Sequence, residues 1–449
     1  MKRNVLALAL SLAMVLSVGG VALAQEGGSG LLIAPNPTAQ QTPATDVPKA
    51  EAAPEQEGDA LSFYGLDDKL RDGGYAMQAM KEGMAQLQEI DYDELTKQLQ
   101  QTLSDTVQLH WETITMTDTV LKGLEQVPFL NLTMEDQVVL QTALSVSTKS
   151  AAASLEDACQ SLRESIEDVQ EGRTQRDNED LLWQLRTTRD QTVILGENSF
   201  IMLVGLQRSQ QTLVRSMAAL DRAIQEMEMR YDMGQVSALT LQEVRANRAA
   251  LESTARTLEM NITNLRLNLE MMLGMELTGT LQAAALPEVT QQQLSEMDLA
   301  ADLEKAKRNS YSLRAAQVKL EEAEEAWEQA QEDYDEDDYA RTVAQHSWKS
   351  AQYTYQAAVQ QFEVNFHALY AKVKDQAQIM GAKQTLLAVE QDACAAARLK
   401  FTQGSISQTA LLTAQDELAA AQEAVDTARD DLFSGYRSYC WAVEQGILN

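Results

Sequence analysis

Beyond residue 200, apolar residues recur at alternating steps of three and four, the spacing that gathers them on one stripe of a helix and into a coiled-coil seam. Leu411, Ala414, Leu418, Ala421, Val425, Ala428 and Leu432 keep this rhythm. Leu241, Val244, Arg248, Leu251, Ala255, Leu258 and Ile262 keep it too, with only Arg248 breaking the apolar series, and Leu265, Leu269 and Met272 extend it. Ahead of them, Leu213, Met217, Leu220, Ile224, Met227 and Tyr231 hold the same phase, as do Leu387, Cys394, Ala397 and Phe401 less completely. The pattern predicts long paired helices, and the many small seam residues predict close packing.

A repeated element separates these runs at an offset of 170 residues. Arg230-Tyr231-Asp232-Met233-Gly234-Gln235-Val236-Ser237 matches Lys400-Phe401-Thr402-Gln403-Gly404-Ser405-Ile406-Ser407. Each reads basic, aromatic, two residues, Gly, two residues, Ser. Glycine supplies the left-handed conformation that ends a helix, and a following Ser or Thr caps the next one. Gly234 and Gly404 are therefore expected at the tips of two helical hairpins, with Thr240 and Glu243 as a further capping box in the first copy. Polar breaks at Gly172 to Asn178 and at Asp333 to Asp338 mark the hairpins' other ends. A helix from about Tyr339 to Gln403 would be roughly 100 Å long at 1.5 Å per residue.

From Leu61 onward the only prolines are Pro128 and Pro287, each between helical patterns. Thr133-Met134-Glu135-Asp136 resembles a capping box, and Leu286-Pro287-Glu288 marks a seam between two halves. The expected organisation is a signal peptide over 1–24, a flexible linker over 25–60, an N-terminal helical region over 61–132, and repeats over 133–284 and 285–449. Leu66 to Ile90 and Tyr92 to Gln126 read as helical, forming either an extra hairpin or a divergent start of the first repeat.

Met1-Lys2-Arg3, an apolar run from Val5 to Val18 and Val21-Ala22-Leu23-Ala24 have the parts of a secretory signal with cleavage after Ala24. An uncleaved anchor is the other reading, since Asn4 to Ala24 nearly matches the length that crosses a bilayer. No Cys stands near this site, which excludes a lipoprotein. Five prolines between Gln25 and Gly58, among Ala, Thr, Gln and Glu, describe an extended tether that buries no core.

Composition agrees with an all-α chain: aromatics are only 5% and Pro is 7, whereas Ala, Gln, Leu and Glu abound. With Lys+Arg 36 against Asp+Glu 67 the net charge is -31. A polyanion of this size repels phosphate backbones, so nucleic acid is a poor partner. Cys159, Cys394 and Cys440 are far apart and imply neither a disulfide framework nor a metal cluster.

The signal, the twofold repeat, the two Gly elements and a first copy closing on Leu269-Glu270-Met271-Met272-Leu273-Gly274 resemble the TolC-like outer membrane efflux proteins. Leu286-Pro287-Glu288 followed by Leu303 to Ala316 is similar to that family's entry into its second repeat. The resemblance implies a trimer whose repeats line a helical tunnel, joined to a β-barrel in the outer membrane. It also implies that the hairpin tips meet a periplasmic adaptor and, through it, an inner-membrane pump. Carried over residue by residue, the adaptor-binding positions are Arg230, Tyr231, Gly234 and Ser237, with Lys400, Phe401, Gly404 and Ser407. Two departures stand out. The breaks that hold membrane strands in the family are here short and charged, whereas a membrane strand takes about nine to eleven residues. Where some members carry acids six and nine places after the second tip Gly, this chain has Ala410 and Thr413, with Thr240 and Glu243 in the first copy.

Catalysis finds no support. His110, His346 and His367 show no ligand spacing, and no phosphate loop, nucleophile elbow or His-Glu-x-x-His motif occurs. Asp333, Asp335 and Asp337 suggest a calcium loop, but Asp338 stands where Gly is required and Ala344 where Glu is required, so a solvated turn fits better. Cys394 on the seam reads as a buried thiol. No enzyme, cofactor or metal is expected. Two readings remain: an envelope efflux or secretion component whose tips meet an adaptor, and a non-transporting envelope coiled coil.

Overall fold

The seam residues go where their spacing sends them. Leu241, Ile262, Val425, Ala428 and Leu432 are buried, and the other seam positions between Leu241 and Ile262 and between Leu411 and Leu432 are at least half-buried. Arg248 keeps its place in the first seam through ion pairs with Asp221 at 3.1 Å and Glu252 at 2.8 Å. The upstream series is covered as well until it reaches Tyr231 and Phe401, which emerge into solvent.

The computed structural model describes residues 60–126 and 134–448. The signal, the linker up to residue 59, Pro128 and Thr133 of the expected capping box lie outside the described residues. The protein is all-α. Its elements are β1 (Ala60–Leu61), α1 (Leu66–Asp72), α2 (Tyr75–Gln88), α3 (Tyr92–Gln126), α4 (Met134–Gln170), α5 (Arg173–Asp232), α6 (Ala238–Met272), β2 (Gln282–Ala283), α7 (Gln291–Glu296), α8 (Leu299–Asn309), α9 (Tyr311–Asp333), α10 (Tyr339–Thr402) and α11 (Gln408–Gln445). Among the described residues, strand is confined to the parallel pair β1–β2, in which Ala60 faces Gln282 and Leu61 faces Ala283.

Residues 83–182, holding α3, α4 and the helix ends beside them, form one unit, and the described residues on either side of that segment form another. In the larger unit, two cores meet on α11. Phe433 and Trp441 join Leu66, Leu70, Val193, Phe200, Leu203, Ile262 and Leu269 of α1, α5 and α6. The adjacent Leu432, with Tyr439 and Ala442, joins Leu313, Phe362, Phe366 and Val373 of α9 and α10. Full burial of a Phe such as Phe200 or Phe366 contributes about 1.5–3 kcal/mol. α11 is thus the shared wall of both halves.

Each half closes with a tight backbone crossing. Gly73 and Gly74 sit against the carbonyls of Met271 and Met272 and against Gly274, so closely that a Cβ on Gly73 would stand 2.7 Å from the Met272 oxygen. At the other crossing, a Cβ on Gly446 would stand 2.4 Å from the Ser310 backbone. The first crossing corrects one expectation: residues 66–90 are not one helix, because the Gly73–Gly74 pair needed for close approach breaks them into α1 and α2. From crossing to tip, the chain runs Gly74 to Gly234 in the first half and Ser310 to Gly404 in the second. The longer run of the first half contains the α3–α4 pair, absent between α9 and α10.

α3 and α4 pack along one another. Leu95, Leu99, Leu103 and Val107 are half-buried along α3, Cys159 and Ile166 are buried on α4, and Tyr92 accepts a hydrogen bond from Asn178 at 3.1 Å. Within this stretch α1 and α2 enter the first core, whereas α3 pairs with α4. A further correction concerns Gly172 to Asn178. Only Glu171 and Gly172 interrupt the helix, and Arg173 to Asn178 form the opening turns of α5, where Arg176 donates to the Gly172 carbonyl at 3.0 Å. The Asp333 to Asp338 break is a turn, in which Asp338 caps α10 by accepting from the Ala340 N–H at 2.8 Å. α10 is one helix of 64 residues.

Candidate functional site

The two Gly elements fold identically. At the end of α5, Gly234 has φ 71°, its N–H donates to the Tyr231 carbonyl at 2.9 Å, and the Gln235 N–H donates to the Arg230 carbonyl at 2.8 Å. At the end of α10, Gly404 also has φ 71°, with Gly404 N–H to Phe401 and Ser405 N–H to Lys400, both at 2.9 Å. These paired bonds satisfy carbonyls that a helix end leaves open, in the Schellman arrangement. Ser237 then caps α6 by accepting from Thr240 N–H at 3.1 Å, and Ser407 caps α11 by accepting from Ala410 N–H at 3.2 Å. Thr240 is therefore not a second cap: the helix has already begun at Ala238, and the Thr240 N–H is spent on Ser237.

Backbone geometry accounts for Gly and Ser in the repeated element, but not for the basic and aromatic side chains. Arg230 pairs with Glu226 one turn back, while Tyr231 and Phe401 remain 43% and 39% exposed. Around them stand further exposed apolar side chains that the repeat did not single out: Met229, Met233 and Leu239 at the first turn, and Leu399 at the second. Each turn thus carries an uncovered apolar collar beside a basic residue.

The turns are held at one level by a feature the sequence analysis missed. Arg208, Arg215 and Arg222, seven residues apart on α5, pair with Asp430, Glu423 and Asp416 on the antiparallel α11. Arg222 stands twelve residues before Gly234 and Asp416 twelve residues after Gly404, which puts both glycines about 18 Å beyond this last rung. The heptad spacing of three arginines and three acids was the available signal.

At the opposite end of this seam the same chemistry goes inside. The Glu197 carboxylate is 2% exposed and accepts from Arg437 Nε at 3.0 and 2.9 Å, Arg437 Nη2 at 2.6 Å and Trp441 Nε1 at 2.8 Å. Arg437 also faces Asp67, which pairs with Arg71, which pairs with Asp190. Alternating charges thereby tie α1, α5 and α11 together.

A second buried carboxylate explains the acid in Leu269-Glu270-Met271. Glu270 accepts from the N–H groups of Thr278 (2.6 Å), Gly279 (2.7 Å), Thr280 (3.1 Å) and Leu281 (3.2 Å), and from the Thr278 hydroxyl (3.0 Å). Burial opposes its charge, but these donors outweigh that effect and hold the carboxyl below the usual glutamate range. Asp430 goes the other way: burial raises its carboxyl despite Arg208. Burial, with Glu444 nearby, pushes the Cys440 thiol up to about 11, and Cys394 is buried in the seam as expected. The Cys440 environment does not favour a thiolate.

Neither a protein-family model nor a curated protein sequence matches the chain. In three dimensions the chain is similar to the outer membrane protein VceC of Vibrio cholerae, with 13% identity and a TM-score of 0.40 over 59% of this chain and 73% of that one. It is similar to the CmeC outer membrane channel of Campylobacter jejuni, with 12% identity and a TM-score of 0.38 over 66% of this chain and 68% of that one. It is likewise similar to a membrane protein from Pseudomonas aeruginosa, with 12% identity and a TM-score of 0.41 over 88% of this chain and 99% of that one.

Proposed function

We propose that the protein is an exported, TolC-like component of an efflux or secretion system of the cell envelope. It self-associates, as a trimer by the sequence resemblance, into a helical conduit or docking element. Its two turns meet a periplasmic-type adaptor, with Arg230, Tyr231, Gly234, Ser237, Lys400, Phe401, Gly404 and Ser407 forming the contact. The observation that carries this reading is the pair of level turns with exposed apolar collars: a helix stop alone has no use for Tyr231 and Phe401 in solvent, whereas a protein partner gains by covering them. The acidic chain suits an aqueous path favouring cations.

The test is a photo-crosslinking residue placed at 231 or 401 in cells, with the adduct identified by mass spectrometry. An adaptor-type envelope protein is expected, and Tyr231→Asp/Phe401→Asp should abolish the adduct and impair export. An intact export phenotype in that variant, with no adduct, overturns the reading in favour of a non-transporting envelope coiled coil. The α3–α4 pair, itself helical, gives that alternative its footing.

A further inference from the structure

The two turns match in backbone and differ in sulfur. At the offset of 170 residues Met229 corresponds to Leu399 and Met233 to Gln403. Met229 and Leu399 are 60% and 61% exposed, so the repeat offers a thioether and a hydrocarbon at the same place and to the same degree. Met233 is 63% exposed, and its N–H donates to the Met229 carbonyl at 3.1 Å, which sets the two methionines one turn apart on one side of the helix end. Between residues 381 and 449 the sequence holds no methionine.

An exposed thioether is an apolar side chain and also a two-electron reductant. Its sulfur lone pair attacks one oxygen of hydrogen peroxide, the O–O bond breaks as the S–O bond forms, and the other oxygen leaves as water. Sulfur is oxidised by two electrons and the peroxide is reduced. The sulfoxide that results is polar and wants hydrogen-bond donors, so a partner that covered the thioether loses by covering it. Leu399 has no such chemistry.

We infer that Met229 and Met233 make the first turn an oxidation-sensitive docking collar: peroxide converts them to sulfoxides and the partner is released, while the second turn, without sulfur, keeps its apolar surface. The change is reversible, because sulfoxide reductases return the thioether. This inference rests on the docking proposed above and adds its regulation.

The full-length chain with the photo-crosslinker at 231 is treated with hydrogen peroxide, the excess is removed with catalase, and the protein identified in the adduct at 231 is then added and crosslinked. Met229 and Met233 should each gain one oxygen by mass spectrometry while the buried Met77, Met84 and Met297 stay unmodified. The adduct should fall about tenfold, and methionine sulfoxide reductases A and B should restore it. In Met229→Leu/Met233→Leu the adduct should survive peroxide, although the exposed Met202, Met260, Met271 and Met275 are still oxidised. Leu399→Met should confer peroxide sensitivity on the adduct formed at 401. Each chain is compared with its own untreated adduct, so a change in basal docking does not enter. An adduct at 231 that persists on a chain oxidised at both methionines overturns the inference and leaves the docking reading standing. Equal loss in the leucine variant overturns it too, since another methionine is then responsible. If that variant docks too weakly to read, Leu399→Met decides, and no gain of sensitivity there overturns the inference. If no adduct forms before oxidation, docking and its regulation fail together.

Discussion

The seam between α5 and α11 begins and ends with an arginine paired to an acid, yet the two ends are physically unlike. At one end Glu197 is enclosed by Arg437 and Trp441; at the other Arg222 and Asp416 are 39% and 46% exposed. Water screens the second pair on both sides and the first only at Arg437, whose side chain is 26% exposed beside a carboxylate at 2%, so two arginine–carboxylate pairs carry different work. The buried end fixes which helices assemble, because an unmatched charge there has nowhere to go. The open end sets register and leaves the turns separable from their neighbours.

Breaking the buried end should have the largest effect. Glu197→Ala leaves the largely buried Arg437 with only Asp67 at 3.7 Å and should cost about 3 kcal/mol in urea denaturation, the lower end for a broken buried pair because the guanidinium keeps some contact with water. Glu197→Leu with Arg437→Met should recover much of that loss, since an apolar pair of similar volume removes both desolvation costs. A loss below about 1 kcal/mol for Glu197→Ala would place this pair in the same class as the exposed one.

Glu270 sharpens the comparison, because its partners are backbone N–H groups and carry no charge. Glu270→Gln should cost about 2 kcal/mol at neutral pH, the scale of hydrogen bonds to a charged group. The fold holds this carboxyl below its unfolded value, so its contribution is full above the ordinary glutamate range and is lost as pH falls through the folded value. Thermal unfolding of parent and variant should therefore converge on acidification below about pH 4. Asp430 has the opposite sign: raised by burial, it binds its proton earlier in the fold than in the open chain, so its protonation offsets part of the acid loss. Replacing Asp430 with Asn should consequently cost less than the Glu270 change.

What was legible in the sequence follows from which forces are local. Helix ends at Gly234 and Gly404 could be read because left-handed glycine and the capping serines act within a few residues. The seams could be read because heptad burial repeats along one helix. The split at Gly73–Gly74 could not, since its cause is Met272, some two hundred residues away. The Arg208, Arg215 and Arg222 series was visible as a spacing, but its meaning depended on α11 lying antiparallel at one register. Arg248, which looked like an error in the seam, is resolved only by Asp221 across the hairpin. The exposed apolar residues of α10, among them Val364, Leu386 and Val389, run in a heptad phase of their own, apart from the seam that holds Cys394.

The turns test how far local rules reach. Gly234→Ala and Gly404→Ala each force a Cβ into the left-handed region and should cost about 1 kcal/mol. The two effects should be equal within error by chemical denaturation, because the backbone bonds are the same at both turns. Open space surrounds each glycine, so no steric clash adds to either value. A markedly larger loss at one turn would mean that its collar already packs on something in the isolated chain.

The smallest effect should come from the open end of the seam. Arg222→Ala removes a charge pair that is solvated on both sides, and pairs of this kind contribute about 0–1 kcal/mol. A double-mutant cycle with Asp416→Ala isolates the coupling from the loss of the arginine stem, which also covers apolar surface. The coupling should fall further in 1 M salt, where the screening length is about 3 Å, whereas the Glu197–Arg437 coupling should hardly change. Equal salt sensitivity at both ends would show that water reaches Glu197, and the distinction between a fastened end and an open one would then fail. If the contrast holds, stability loss on Arg222→Ala will be too small to explain any loss of docking. A docking defect in that variant would instead report the relative height of the two turns, the one property this outermost rung controls.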